Sequence, residues 1–180
     1  RAARAFLTKA VAAHDNRVAL VYGEERRDRH KRTLAHLYSP EGDNFQAQLL
    51  QRGLAAAIAH PPNLANTECY AKQEKLARCA GRGIWSDPEH AVLDAADLSP
   101  EHSGFQRVRG KVEQISESSR GIWLFMAELM IGIRRDYLDE FDLAELMSLK
   151  GKQLMVRGWL QRSNKKQSKK IYRKGRTVNY

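Results

Sequence analysis

The chain has 180 residues, 31 of them Lys or Arg and 21 of them Asp or Glu, which gives a formal net charge of +10. A hydrophobic fraction of 42% is enough to bury a core and excludes a wholly disordered chain. The longest apolar stretch, residues 122–133, is interrupted by Glu128 and is too short to span a bilayer, so no membrane partner is expected.

The positive charge lies almost entirely at the end of the chain. Residues 1–145 contain 20 basic and all 21 acidic residues, a net charge of −1. Residues 146–180 contain 11 basic residues and no acidic residue, a net charge of +11. A basic segment on a near-neutral body indicates a polyanionic partner.

The two cysteines do not form a disulfide framework. Cys69 and Cys79 fall on one predicted helix, where a separation of ten residues places them about 15 Å apart. That distance is too long for a disulfide between them. Cysteine usage therefore leaves the cellular compartment open.

The first third of the chain predicts a helix followed by a β-hairpin. Residues 2–13 have helical apolar spacing and no Gly or Pro. Residues 17–22 and 33–38 are rich in strand-forming side chains, and a highly charged turn, residues 24–31, joins them. Two strands alone would expose their edges and one apolar face.

Two further helices are predicted before residue 86. The first spans residues 45–60, with Asn44 as its N-cap, and Gly53 inside it indicates close packing. Pro61-Pro62-Asn63 ends that helix. The second begins at residue 66 or 67 and ends at Cys79, before two glycines.

The composition changes after residue 86. Residues 87–103 are rich in Asp, Ser and Pro and are predicted to be a linker. Residues 105–115, 121–130 and 154–160 are strand-like, and a short helix is expected at residues 142–149. This order, in fewer than 80 residues, favours a small OB-like barrel. The remaining residues form either a long basic loop followed by a closing strand or a partly disordered extension.

An ordered set of short motifs gives the first half of the chain a family resemblance. Together they resemble the C-terminal part of a staphylococcal-nuclease-like (thermonuclease) domain, and the resemblance covers about residues 1–86. In chain order the motifs are Asp28-Arg29-His30-Lys31-Arg32-Thr33-Leu34-Ala35-His36-Leu37-Tyr38, Gln51-Arg52-Gly53-Leu54-Ala55, Pro62-Asn63, and Ala71, Glu74 and Ala77 followed by Gly83-Ile84-Trp85-Ser86.

The resemblance implies an α+β fold made mostly of β-barrels with helices. Residues 1–86 would be a partial OB-fold nuclease-like domain, without the first three strands of the family domain. Residues 104–180 would be a second small OB-like barrel with a basic tail, since residues 104–160 are similar to a module that follows the nuclease domain in some bacterial members. A secreted or periplasmic location is also expected from the resemblance.

Members of the family hydrolyse phosphodiester bonds in DNA and RNA with calcium. Arg32 matches the second catalytic arginine, which stabilises the charged transition state. The metal-binding carboxylates, the first arginine and the general-base glutamate lie on the family's first three strands. The chain is therefore expected to be catalytically incomplete and to bind no calcium.

The resemblance and the basic tail also indicate residues that contact nucleic acid. His30 replaces a phosphate-positioning Tyr of the family pattern, Lys31 replaces its Gly, and His60 lies near the position of a base-stacking Tyr. The candidate binding residues are Arg29, His30, His60, Lys165, Lys166, Lys169, Lys170, Tyr172 and Arg173.

Simpler interpretations stand beside these assignments. Arg32 would be a solvated turn residue paired with Asp28 or Glu25. Core packing is favoured over base stacking for Trp85, Trp123 and Trp159, with base stacking as the alternative for the last two, because OB barrels stack bases on aromatic residues. The lysine cluster would be a solvated tail.

Three functions fit the sequence. The first is a nuclease of the thermonuclease family that acts on DNA or RNA. The second is a non-catalytic nucleic-acid-binding module or scaffold on nuclease-like and OB folds, and the third is a basic adaptor for protein interactions. The expected partners are DNA or RNA, together with the family's first strands, supplied by the same protein or by a partner chain.

Overall fold

The computed structural model describes residues 2–28 and 30–162, and the backbone of residues 169–172. The chain divides into two compact units, Arg1–Glu89 and His90–Tyr180. Both contain helices and antiparallel strands, so the protein is α+β, as predicted. In the part of the chain that is described, no helix combines the length and apolar character needed to cross a membrane.

The first unit contains three helices and a two-stranded antiparallel sheet, in the predicted order. A short 3₁₀ turn, Gly83–Ser86, follows the last helix. The elements are α1 (Ala2–Ala12), β1 (Ala19–Val21), β2 (His36–Tyr38), α2 (Phe45–Gln51) and α3 (Thr67–Cys79).

The hairpin of the first unit exposes apolar side chains. Strands β1 and β2 pair from Ala19 opposite Tyr38 to Val21 opposite His36. Leu20 and Val21 on β1, and Tyr22 just after it, are exposed. A two-stranded sheet buries little of its surface, which accounts for these exposed apolar side chains on both faces of β1.

Helix α2 is shorter than the predicted helix 45–60, and that prediction was wrong at its C-terminal end. The predicted cap is present, since the Asn44 Oδ1 accepts the Ala47 N–H at 2.8 Å. The helix ends at Gln51 because Gly53 adopts φ +67°, which is left-handed. A Cβ at Gly53 would lie 2.0 Å from the Arg82 carbonyl oxygen, so the glycine allows the chain after α3 to pack there.

The second unit is built on a seven-stranded sheet with one short helix, α4 (Leu143–Met147). Its strands are β3 (Val92–Asp94), β4 (Gly104–Lys111), β5 (Gln114–Ser118), β6 (Gly121–Met126), β7 (Leu129–Arg134), β8 (Gln153–Gln161) and β9 (Lys169–Tyr172). The buried core includes Val108, Val112, Ile122, Leu124, Met126, Leu129, Ile131, Leu154, Val156 and Leu160.

The segment predicted to be a linker is partly folded into the second unit. Strand β3 pairs with β4 in parallel, from Val92 opposite Arg107 to Asp94 opposite Arg109. Ala95 is buried in the core, and Gly110 leaves room for it, since a Cβ at that glycine would lie 2.7 Å from the Ala95 Cβ. The polar composition therefore concealed a short strand within residues 87–103, the segment predicted to be a linker.

The strand order of this sheet is β3-β4-β8-β9-β7-β6-β5, with parallel pairs at β3–β4 and β7–β9. Only Val112 and Glu113 separate β4 from β5. The Val112 N–H donates to the Lys152 carbonyl at 3.0 Å, and the Glu113 N–H donates to the Phe125 carbonyl at 2.8 Å. One continuous stretch of chain thus pairs first with β8 and then with β6, so it occupies the second position of the strand order as β4 and the opposite end as β5.

The tryptophans of the second unit differ in their environments. Trp123 packs over Gly132, where a Cβ would lie 2.3 Å from the indole ring. Trp159 on β8 is 50% exposed, so the expectation that it packs in the core was wrong. The physical reason is alternation: its neighbours Gly158 and Leu160 are buried, and Trp159 therefore lies on the other face of the strand.

Candidate nucleic-acid interface

Asp28 organises the charged turn that carries Arg32. Its Oδ1 accepts the backbone N–H groups of His30, at 2.8 Å, and Arg32, at 2.9 Å. Its Oδ2 accepts the Arg32 Nε–H at 2.6 Å. The Asp28 N–H also donates to the Arg32 carbonyl at 3.0 Å, which closes the turn. One carboxylate therefore fixes both the backbone of the turn and the orientation of the Arg32 side chain.

The same hydrogen bonds keep Asp28 ionised. Partial burial opposes ionisation, but the hydrogen bonds from Arg32 and from the His30 backbone, with the positive charge of Arg32, outweigh it and lower the pKa of Asp28. The carboxylate is consequently charged at neutral pH and remains so into moderate acid.

Arg32 remains accessible although it is paired. Its side chain is 75% exposed, whereas that of Asp28 is 17% exposed. The pair uses Nε, one of the nitrogens of a guanidinium that has five N–H donors. Of the two pairings considered from the sequence, Asp28 rather than Glu25 is the partner. The exposed arginine retains donors for a second anion.

Lys31 adopts a backbone conformation that favours glycine. Its φ is +63°, and its N–H donates to the Asp28 carbonyl at 2.9 Å. The left-handed conformation costs an L-residue roughly 1–2 kcal/mol. Glycine, which the family pattern has at this position, adopts the conformation without that cost, whereas Lys31 bears it.

Asn63 attaches the Pro-Asn loop to the start of the charged turn. Its Nδ2 donates to the Glu25 carbonyl at 2.8 Å, and its Oδ1 accepts the Glu25 N–H at 2.9 Å. Gly23 lies against the same side chain, since a Cβ there would be 2.3 Å from the Asn63 Oδ1. The Pro62-Asn63 motif was quoted from the sequence, but this role was not assigned. A paired side-chain amide of this kind acts as a structural clamp.

The two candidate histidines are both exposed. His30 contributes its backbone N–H to Asp28. The His60 Nδ1 lies 2.7 Å from the Pro61 carbonyl, so this nitrogen carries the proton in that hydrogen bond. A β-bridge joins His60 to Asn63. His60 therefore lies next to the Pro-Asn loop, which the Asn63 side chain joins to Glu25 at the start of the charged turn.

The remaining candidate residues are described only in part. Lys169, Lys170 and Tyr172 lie on β9, for which the backbone pairing with β7 and β8 is described. Arg29, Lys165, Lys166 and Arg173 lie outside the described residues.

A buried glutamate supports the loop that follows α2; Glu74 was quoted as part of the family motifs, but no role was assigned to it. Glu74 is fully buried, its Oε2 accepts the Ala57 N–H at 2.7 Å, and its Oε1 lies 3.4 Å from the Arg78 Nε. The Arg78 guanidinium is also 6.0 Å from the centre of the Trp85 ring. These contacts are consistent with the assignment of Trp85 to core packing.

The described residues do not fit a calcium ion. Within residues 2–28 and 30–162, no group of three or more His, Cys, Asp or Glu residues is arranged to hold a metal. The carboxylate closest to Arg32 along the turn, that of Asp28, is occupied by three hydrogen bonds. Both cysteines, Cys69 and Cys79, are free and exposed.

Comparison with known families finds a match to the first unit. Residues 1–87 match the family model described as staphylococcal nuclease homologue. A search of curated proteins finds no match to the sequence. The matched segment ends just after the 3₁₀ turn, so it includes the Asp28 turn, the Asn63 clamp and the buried Glu74. The first unit of this chain is therefore similar to the staphylococcal nuclease homologue family over residues 1–87.

Proposed function

We propose that this chain binds DNA or RNA and that Arg32 contacts a phosphate group as the second catalytic arginine of a staphylococcal-nuclease-family site. The observation that carries the proposal is the turn in which the Asp28 carboxylate holds the Arg32 Nε at 2.6 Å while the arginine side chain stays 75% exposed. An arginine held in this way loses little freedom when it binds, and its planar fork matches a phosphate.

In the intact parent protein, the proposed reaction is phosphodiester hydrolysis of DNA or RNA. Calcium, in that protein, would neutralise charge on the phosphate and supply a bound water. Arg32 would donate hydrogen bonds to the phosphate oxygens as negative charge develops on them. Arg32 alone can neither bind calcium nor activate water, so this chain by itself is expected to bind nucleic acid without cleaving it.

The second candidate is a binding module that has no catalytic role in any form of the protein. The concentration of 11 basic residues and no acidic residue in residues 146–180 supports it, because a basic segment can bind a polyanion without catalysis. The second unit supports either candidate. Its strand order, with β4 and β5 as halves of one strand and α4 between β7 and β8, supports the proposal that it is an OB-like module.

The exposed strand β1 supports a further part of the proposal. Leu20 and Val21 lie on opposite faces of β1 and Tyr22 follows them, so this open strand presents exposed apolar surface on both sides. We propose that additional strands of the nuclease-like domain, from the same protein or from a partner chain, cover this surface. A secreted or periplasmic location is proposed on the family relationship.

Binding is tested by fluorescence polarisation with labelled single-stranded DNA and RNA at several salt concentrations. We expect affinity to fall steeply with salt, and Arg32→Ala to weaken binding about tenfold. Arg17→Ala is the matched control, because Arg17 is 74% exposed and is paired with Asp15 within the same unit. Affinity that does not change with salt, or equal effects of the two variants, would contradict the proposal.

Catalysis is tested separately with single-stranded DNA in the presence of calcium or a chelator. The chain should give no calcium-stimulated cleavage, whereas the intact parent protein should cleave and Arg32→Ala should abolish that activity. Cleavage by this chain that is lost in Arg32→Ala would show that the chain is catalytically complete. No cleavage by the intact parent would favour the binding module.

A further inference from the structure

Strands β4 and β8 carry a row of exposed and partly buried side chains on the face opposite the core. They pair antiparallel from Gly104 opposite Leu160 to Lys111 opposite Gln153. Val108 and Val156 are directly opposite each other and are buried, so residues one position away lie on the other face. The cross-strand pairs on that outer face are Phe105–Trp159, Arg107–Arg157, Arg109–Met155 and Lys111–Gln153.

An aromatic pair lies at one end of this outer face. Phe105 and Trp159 have ring centres 5.1 Å apart and planes inclined at 68°, an edge-to-face contact. Trp159 is nevertheless 50% exposed, and Met155 on the same strand is also exposed. In the backbone ladder, Trp159 is also opposite Tyr172 of β9. A supported but exposed indole is a ready surface for a flat apolar ligand group.

The rest of the outer face is predominantly basic. Its charged residues on β4 and β8 are Arg107, Arg109, Lys111 and Arg157. The neighbouring strand β3 contributes one acidic residue, Asp94, whose Oδ2 lies 3.5 Å from the Arg109 Nε. The described strands therefore place a net charge of +3 beside the aromatic pair. The Arg107 guanidinium lies 3.8 Å from the Met155 sulfur and 3.5 Å from the His90 carbonyl, which holds it over the ladder.

We propose that the outer face of β4 and β8 binds single-stranded nucleic acid, with a base stacked on Trp159 and the sugar-phosphate backbone crossing Arg107 and Arg157. A positive groove combined with aromatic stacking is the usual basis of single-strand binding, whereas the bases of a duplex are not available to stack. From the aromatic pair to Lys111 the face extends six residues, about 20 Å, which accommodates several nucleotides.

This surface differs from the one that OB barrels commonly use. Those barrels bind oligonucleotides on their second and third strands, which would be β6 and β7 in this unit. The inference rests on the proposed nucleic-acid binding of the chain, and it assigns that binding to a specific surface.

The test is fluorescence polarisation with a labelled thymidine oligonucleotide of about 15 nucleotides, within the site size of one OB fold. Trp159→Ala should weaken binding about 5- to 150-fold, the equivalent of one lost stacking contact. Trp159→Phe should restore most of the affinity, because it keeps a flat ring. Arg107→Ala combined with Arg157→Ala should reduce the slope of log affinity against log salt by about 1.4.

The control is Arg120→Ala combined with Arg135→Ala, which removes the same charge from exposed arginines elsewhere in the unit. Circular dichroism and thermal melting of every variant identify any loss of folding, and Trp159→Phe provides the comparison if Trp159→Ala melts early. Heparin and the matching duplex serve as competitors, and each should compete less well than the unlabelled single strand.

The outcomes separate this inference from the proposed function. If the wild-type chain binds the oligonucleotide and both β4–β8 variants bind it equally well, the inference is wrong and the proposed function stands. If heparin and duplex compete as well as the single strand, binding is purely electrostatic and the stacking site is refuted. If the wild-type chain binds no nucleic acid, both proposals fail.

Discussion

Replacing Lys31 with glycine should stabilise the first unit. Lys31 occupies φ +63° in the turn that positions Arg32. A left-handed L-residue costs roughly 1–2 kcal/mol, and glycine removes that cost. Glycine also increases the entropy of the unfolded chain, which costs about 0.4–1 kcal/mol. The expected net gain is about 0.5–1 kcal/mol, with the Asp28 hydrogen bonds retained.

Urea denaturation followed by hydrogen-exchange mass spectrometry measures this gain, because peptides from residues 1–89 report the first unit separately from the second. Lys31→Ala is the matched control: it also removes the charge, but it keeps a Cβ and should give no comparable gain. The reasoning fails if Lys31→Gly leaves the midpoint unchanged or lowers it, or if Lys31→Ala stabilises the unit equally.

Three other changes test the supports of the candidate interface. The ionised Asp28 stabilises the first unit at neutral pH, and this stability is lost as pH falls from the usual aspartate range through the lowered pKa of Asp28. Asp28→Asn should remove this contribution. Thermal melting in acid should therefore show a flatter pH profile for the variant. Glu74→Ala should lower the free energy of unfolding by about 1–3 kcal/mol, because it leaves the Ala57 N–H without its acceptor. Glu74→Gln should lower it less. An equal loss for the two variants in urea denaturation would contradict the hydrogen-bond argument. Gly53→Ala should lower the free energy of unfolding by more than about 2 kcal/mol, since a Cβ there lies 2.0 Å from a carbonyl oxygen and φ is +67°. A melting temperature like that of wild type would refute the close approach.

Local signals predicted the elements of the first unit well. The Asn44 cap needs only a backbone N–H three residues along the chain. The structure contains this hydrogen bond, from the Ala47 N–H to the Asn44 Oδ1. The apolar spacing of residues 2–13 and the β-rich segments around the charged turn likewise identified a helix and a hairpin. The candidate site could partly be predicted in the same way, because Asp28 and Arg32 are only four residues apart. Asp28 was named among the possible partners of Arg32, and the structure contains that pair.

Contacts between distant segments account for what the sequence did not reveal. Helix α2 ends early because of a close approach between Gly53 and Arg82, which are far apart in the chain. Residues 92–94 join a sheet through pairing with β4, and their polar surroundings carry no sign of that partner. The Asn63 clamp and the buried Glu74 also join segments that are separated by 38 and 17 residues.

The sequence by itself determined the α+β class, the family resemblance of the first unit, the candidate arginine and the concentration of basic residues after residue 145. These features could be predicted because composition, helix caps and short motifs are local properties. Only the tertiary structure decided how Asp28 holds Arg32 and which face of β8 is exposed. Trp159 and Leu160 are both apolar and adjacent, but strand pairing buries Leu160 and leaves Trp159 beside the arginines of β4 and β8. The physical reason is that burial depends on which strand lies alongside, and that partner is chosen by packing over the whole domain.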